Sequence, residues 1–241
     1  MLSLRDICVS YDGRQPILKD ISLSLPKAAI VGIIGPNGAG KSTLMKAMID
    51  LLPHTGEVVF GEKELSKQLK NVAYIAQKSS IDMTFPITVR DCVALGCQVG
   101  LGLFKRMPKQ AYQKVDDALE KVGLLALSKR QISQLSGGQF QRMLVARALV
   151  QEADLILLDE PFVGIDMVSE QLIMELLKSQ RDAGKLILVV HHDLSKVSDY
   201  FDEIILLNRR LIAYGKTSQV FNRSNLAKTY ENQLPLEEVL S

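Results

Sequence analysis

This chain has 241 residues and very little charge imbalance, with 29 Lys and Arg against 27 Asp and Glu and a formal net charge of +2. A balance so near zero excludes a protein whose main task is to coat nucleic acid. Cysteine is scarce as well. Cys8, Cys92 and Cys97 are odd in number and lack the close pairing of a zinc ribbon, so they read as reduced, structural thiols. Of three histidines, His54 stands alone in a Pro-His-Thr-Gly turn and reads as a surface residue. His191 and His192 are adjacent at the end of an expected strand. No apolar run approaches the ~20 residues that cross a bilayer. The longest, Ala28 to Gly35, runs into a glycine-rich loop. Arg5 and Asp6 follow the start with no apolar stretch behind them, unlike a signal peptide, so a cytoplasmic chain is expected. Neither internal repeats nor low-complexity linkers occur. Against these absences stand 47% hydrophobic and 23% charged residues. That composition excludes a disordered chain and can fill a sizeable core, either one large domain or one core with an inserted subdomain. A mean hydropathy of +0.11 is nevertheless high for a lone soluble domain.

The first sixty residues read as short strands and turns. Ile7, Val9 and Tyr11 alternate, as do Ile21, Leu23 and Leu25, with Asp12-Gly13 and Thr55-Gly56 as turn signals. From Ala28 the pattern becomes continuously apolar, as expected of a parallel strand buried on both faces. Leu155 to Leu158 and Leu186 to Val190 repeat it. Between them Ile165, Val168, Leu172, Ile173, Leu176 and Leu177 suit a helix, with Arg181 in its last turn and Gly184 as its cap. Strand–helix–strand order with buried strands implies an α/β core with a parallel sheet. Ile204 to Leu207 and Leu211 to Tyr214 suggest a closing hairpin. Residues 112 to 127 and 139 to 150 follow helical spacing. The last 25 or so residues are polar and weakly patterned.

Gly35-Pro36-Asn37-Gly38-Ala39-Gly40-Lys41-Ser42, followed by Thr43, fits the phosphate-loop pattern, with a buried strand before it and helical Leu44 to Met48 after it. Glycines let successive backbone N–H groups curl round phosphates, and the following helix directs its positive end at the same anions. Lys41 can reach the β- and γ-phosphates, and the Ser42 hydroxyl can ligate Mg²⁺. ATP or GTP binding follows. Leu155-Ile-Leu-Leu-Asp159-Glu160 then puts two carboxylates at the carboxyl end of a buried strand. Asp159 suits the Mg²⁺ hydration shell, and Glu160 suits the general base that polarises the attacking water.

Leu135-Ser136-Gly137-Gly138-Gln139 opens a helix, so Ser136 and the glycine N–H groups form a second anion-binding helix start. One ATP needs only one phosphate-binding feature. The second therefore implies an ATP held by a partner, as in a two-fold head-to-tail dimer with shared sites. With these motifs in this order, the chain resembles the ATP-binding cassette family of transporter ATPases over essentially residues 2 to 215. The resemblance implies a phosphate-loop NTPase (RecA-like) core, an N-terminal antiparallel β subdomain and an inserted α-helical subdomain. The cassette would span 1–241, with 1–78 and 147–215 as α/β core and β subdomain, 79–146 as helical subdomain and 216–241 as C-terminal tail. It also implies that Tyr11 stacks on adenine, Gln77 contacts Mg²⁺ and the attacking water, and Asp166 couples the two sites across the dimer. Side chains on a strand alternate between faces, so only one of the paired histidines can meet the nucleotide. The family pattern selects His192 as the switch on the γ-phosphate and leaves His191 to packing.

Without a membrane segment, the transport pathway would come from separate permease subunits, and the cassette would sit at the cytoplasmic face of the membrane. Between Ser79 and Phe104 only Asp82, Arg90 and Asp91 are charged, among Phe85, Ile87, Val93, Leu95, Leu101 and Phe104. That apolarity suits a docking groove for a permease helix, or the subdomain's own core. Lys105, Arg106, Lys109 and Lys114 read as a solvated surface. Phe85 to Gly96, Arg130 to Arg142 and the Val-His-His-Asp-Leu-Ser run resemble importers of manganese, zinc and iron, especially the manganese importers of Gram-positive bacteria. Such systems imply an extracellular metal-binding protein as an indirect partner, and no nucleic acid. A soluble cassette of chromosome maintenance would carry heptad insertions, and a translation cassette would be duplicated. A lone phosphate-loop kinase or GTPase leaves Leu-Ser-Gly-Gly-Gln unexplained.

Overall fold

A computed structural model describes residues 1–10, 16–26, 28–78, 81–98 and 107–231. In chain order its strands and helices are β1 (Leu2–Ser10), β2 (Pro16–Leu25), β3 (Ala29–Ile34), α1 (Lys41–Met48), β4 (Thr55–Phe60), β5 (Lys63–Glu64), β6 (Val72–Ile75), α2 (Val89–Ala94), α3 (Lys109–Lys121) and α4 (Gly137–Val150). They continue with β7 (Leu155–Asp159), α5 (Met167–Asp182), β8 (Leu186–Val190), α6 (Val197–Tyr200), β9 (Glu203–Asn208), β10 (Arg210–Lys216), α7 (Thr217–Val220) and α8 (Arg223–Thr229). Two compact units result: Met1–Leu69 with the chain from Arg181 onward, and Lys70–Gln180.

The first unit holds two sheets. One is antiparallel in the order β2-β1-β4-β5, with Leu2 opposite Leu25 and Phe60. In the other, β3 lies parallel between β8 and β9, and β10 closes an antiparallel hairpin on β9. Every residue of β3 and of β8 is buried, which is why their sequences are apolar without alternation. Ile30, Val31, Ile33 and Ile34 have no exposed surface, and each such burial contributes roughly 1.5–3 kcal/mol relative to exposure. Asp202 closes the entry to this sheet: its carboxylate accepts from the Ile30 amide at 2.8 Å and from Arg181 at 2.9 Å.

The second unit pairs β6 with β7 in parallel, Tyr74 opposite Leu157 and Ile75 opposite Leu158. Helix α4 packs against both α2 and α3, burying Phe140, Met143, Leu144 and Val145. The helix expected over 112 to 127 starts earlier and stops at Lys121; the chain turns through Gly123, and Leu125–Leu127 form a separate 3-10 turn.

Two further readings are refined. His54 is half-buried at the surface, its side chain 11% exposed and its Nε2 2.9 Å from Asp50 Oδ1. Asp50 sits four residues earlier, just past the end of α1, so the turn folds the imidazole back onto its carboxylate. The weakly patterned segment after 216 forms α7 and α8 before residue 232. Asn222 caps α8 by accepting from the Asn225 amide at 3.0 Å, and Thr217 Oγ1 donates to the Phe201 carbonyl at 2.6 Å. Side-chain hydrogen bonds stand in there for the apolar periodicity that the sequence lacks.

Candidate nucleotide site

In the first unit Gly35 to Gly40 join β3 to α1, whose first three residues are Lys41, Ser42 and Thr43. The loop is tied to itself and to the β9–β10 turn. Ala39 N donates to Pro36 O at 3.2 Å, and Arg209 N donates to Ala39 O at 2.9 Å. Lys41 is 6% exposed, and its ammonium donates to the Gly35 and Pro36 carbonyls at 2.8 and 2.9 Å. Gly40 caps α1 at φ 92°, where any side chain is strained, and a Cβ there would lie 2.5 Å from Leu18. Asn37 and Gly38 are exposed, while Ser42 and Thr43 are half-buried. The loop thus sits at the positive end of α1, with the Lys41 ammonium held on the loop's own carbonyls.

His191 and His192 follow β8, whose Val190 pairs with Ile33 two residues before the loop begins. They separate by exposure. His191 is 2% exposed and packs against the rings of Tyr200 and Phe201, with centroids 6.0 and 5.5 Å away. His192 is exposed. Asp193 then anchors the turn, accepting from Ser195 Oγ at 2.6 Å and Ser195 N at 3.0 Å. The Ser195 hydroxyl, more than its amide, holds that carboxyl below the usual range. Tyr11 lies outside the described residues.

In the second unit Gln77 and Glu160, 83 residues apart, meet directly: Gln77 Nε2 donates to Glu160 Oε2 at 2.7 Å. Glu160 has φ 52°, a conformation that costs a non-glycine residue free energy and that clusters at functional sites. Asp159, 2% exposed, ends β7. Ser136 caps α4 in a reciprocal box, its Oγ accepting from Gln139 N at 3.3 Å while its own N–H donates to Gln139 Oε1 at 3.0 Å. Gly137 and Gly138 thus lie inside the first turn of the helix rather than before it.

Asp166 is brought against that same helix start. It accepts from Ser169 N at 2.9 Å and from Ser169 Oγ at 2.8 Å, which lowers its carboxyl below the ordinary range. A Cβ on Gly138 would meet Asp166 Oδ2 and Ser169 Oγ, each at 2.6 Å. Only glycine lets α4 and the start of α5 come this close.

Sequence reasoning missed two residues. Ser169 locks Asp166, and the signal was an acid followed three residues later by a hydroxyl at a helix start. Tyr74 faces Asp159, which only the pairing of β6 with β7 reveals.

The family model described as ABC transporter matches residues 18–163. The chain belongs to the ABC transporter ATPases. This ATPase is 50% identical over 230 residues to the manganese transport system ATP-binding protein MntB of Listeria innocua, covering 95% of each chain. It is 47% identical over 231 residues to the zinc transport system ATP-binding protein TroB of Treponema pallidum, covering 95% of this chain and 86% of that one. Among solved structures, a dimeric ATP-binding cassette in a post-hydrolysis state with ADP and Pi superposes with a TM-score of 0.79 at 26% identity, covering 90% of this chain and 98% of that one. The ATPase thus has the α/β phosphate-loop NTPase fold. No helix among the described residues is long and apolar enough to cross a membrane.

Proposed function

We propose that this ATPase energises import of manganese through a permease, as a homodimer whose two ATP sites are each shared between subunits. The observation carrying the metal is the 50% identity to a manganese transport subunit along nearly the whole chain. Zinc is the second reading, favoured by the 47% identity to a zinc transport subunit.

In this reading the amides of Gly38 to Thr43 and the Lys41 ammonium bind the ATP phosphates, and Tyr11 stacks on the adenine. Ser136, Gly137, Gly138 and Gln139 meet the γ-phosphate of the ATP bound to the second copy. Glu160 takes a proton from the attacking water, held in place by Gln77, and His192 contacts the γ-phosphate. Asp166, locked by Ser169 against Gly138, carries the state of one site to the other. Mg²⁺ bound with the ATP would supply neutralisation of the charge that develops on the transferred phosphoryl group. Ser42, Gln77 and Asp159 would hold it, and their donors fit because all are hard oxygen ligands.

The subunit would work at the cytoplasmic face of the membrane, with an extracellular metal-binding protein as indirect partner. Of the apolar stretch expected to dock a permease helix, Val93 is buried, whereas Phe85 and Leu95 are 61% and 44% exposed. Leu101, Phe104, Lys105 and Arg106 lie outside the described residues. The exposed pair supports docking there.

Two measurements test the reading. Cells lacking the gene should hold less manganese and grow poorly when manganese is limiting; a loss of zinc instead would select the second reading. Mild detergent extraction should recover the ATPase with a membrane permease, and failure to associate with membranes would end the transport reading.

A further inference from the structure

One buried hydroxyl next to the proposed magnesium ligand has no role in the mechanism above. Tyr74 stands on β6 opposite Leu157 of β7. Side chains alternate along a strand, so Asp159, two residues beyond Leu157, shares the face of the sheet on which Tyr74 lies. The Tyr74 hydroxyl oxygen is shut off from solvent and makes no hydrogen bond of normal geometry with any described residue. A phenol buried only for packing would do as well or better as phenylalanine, because an unsatisfied hydroxyl is costly to bury. Beside burial, the group that acts on this hydroxyl is the carboxylate of Asp159. A phenol O–H is a donor, and the carboxylate on the same face of the sheet is an acceptor.

We propose that Tyr74 is a positioning residue: once Mg·ATP is bound, its hydroxyl donates to one Asp159 oxygen and leaves the other turned to the Mg²⁺. Carboxylates that ligate metals are themselves held by hydrogen bonds, and removing the holder typically costs 10–100-fold in metal affinity. The inference rests on the reading of Asp159 as a magnesium ligand, and the test separates the two.

Equilibrium binding of a fluorescent ATP analogue to the full chain, with Mg²⁺ and with EDTA, reads the metal's contribution without turnover. In the wild type Mg²⁺ should tighten binding; no gain would overturn the magnesium reading of Asp159 and the inference with it. Tyr74→Phe should bind the metal-free analogue normally, melt no lower than wild type, and need about tenfold more Mg²⁺ for half-saturation. In an Asp159→Asn background the same change should add nothing. An unchanged Mg²⁺ requirement in Tyr74→Phe, or an equal loss with and without Mg²⁺, would overturn the role of Tyr74 while leaving Asp159 in place.

Discussion

Replacing Glu160 by Gln separates two things that this residue can do. Its carboxylate accepts a 2.7 Å hydrogen bond from Gln77, and in the proposed mechanism it also takes the proton of the attacking water. A glutamine at 160 has the same shape, suits the same φ of 52° and can still accept from Gln77 through its amide oxygen. What the tether loses is the strengthening by charge. Hydrogen bonds to charged groups contribute about 1.5–3 kcal/mol and neutral ones about 0.5–1.5. The difference of about 1–1.5 kcal/mol corresponds to roughly a five- to thirteenfold effect. Loss of a general base costs about 10²–10⁴-fold, or about 2.7–5.4 kcal/mol. The ranges do not overlap, so the size of the defect tells which role is real. Glu160→Gln should bind the fluorescent ATP analogue as the wild type does and release phosphate at least a hundredfold more slowly in single-turnover assays. It should also accumulate an ATP-bound dimer on a sizing column, because the shared sites close without resetting. A fall of less than tenfold would refute the assignment of Glu160 as base and leave it a partner of Gln77.

Gly138→Ala should damage the contact between α4 and the start of α5, because its Cβ would lie 2.6 Å from both Asp166 Oδ2 and Ser169 Oγ. Overpacking of this kind costs about 1–3 kcal/mol, so the melting temperature should fall along with ATP-driven dimerisation, and an unchanged melt would contradict the close approach. Tyr74 and Tyr230 are each pushed up to about 12, mainly by burial. A raised acid pKa means that the folded chain keeps a proton which the unfolded chain releases above ~10. Stability should thus be unaffected by these groups below pH ~10 and fall as pH rises toward 12. Spectrophotometric titration should show a late wave of tyrosine ionisation that shrinks in Tyr74→Phe and in Tyr230→Phe, and a late wave unchanged by both substitutions would count against it.

The parallel strands were legible because burial on both faces writes a continuous apolar run, as in β3, β7 and β8. The phosphate loop and Leu-Ser-Gly-Gly-Gln were legible because their chemistry lies in consecutive residues. The pairing of His54 with Asp50 was not legible because it is made only through the fold of the turn. Helices α7 and α8 were missed because Asn222 and Thr217 hold them by side-chain hydrogen bonds, which leave no periodic trace.

Order and spacing along the chain were enough to mark an α/β nucleotide-binding core, since backbone amides around a phosphate demand a local run of particular residues, and the cassette family followed from the resemblance of its motifs. They were also enough to single out Asp159 and Glu160 as carboxylates at a strand end. Folding alone decided what those groups touch. Gln77 reaches Glu160 across 83 residues, Asp166 reaches Gly138 by way of Ser169, and Tyr74 finds Asp159 through the register of two strands. Each of these is a distance in space that depends on how separate elements pack, and no pattern in a linear sequence records it.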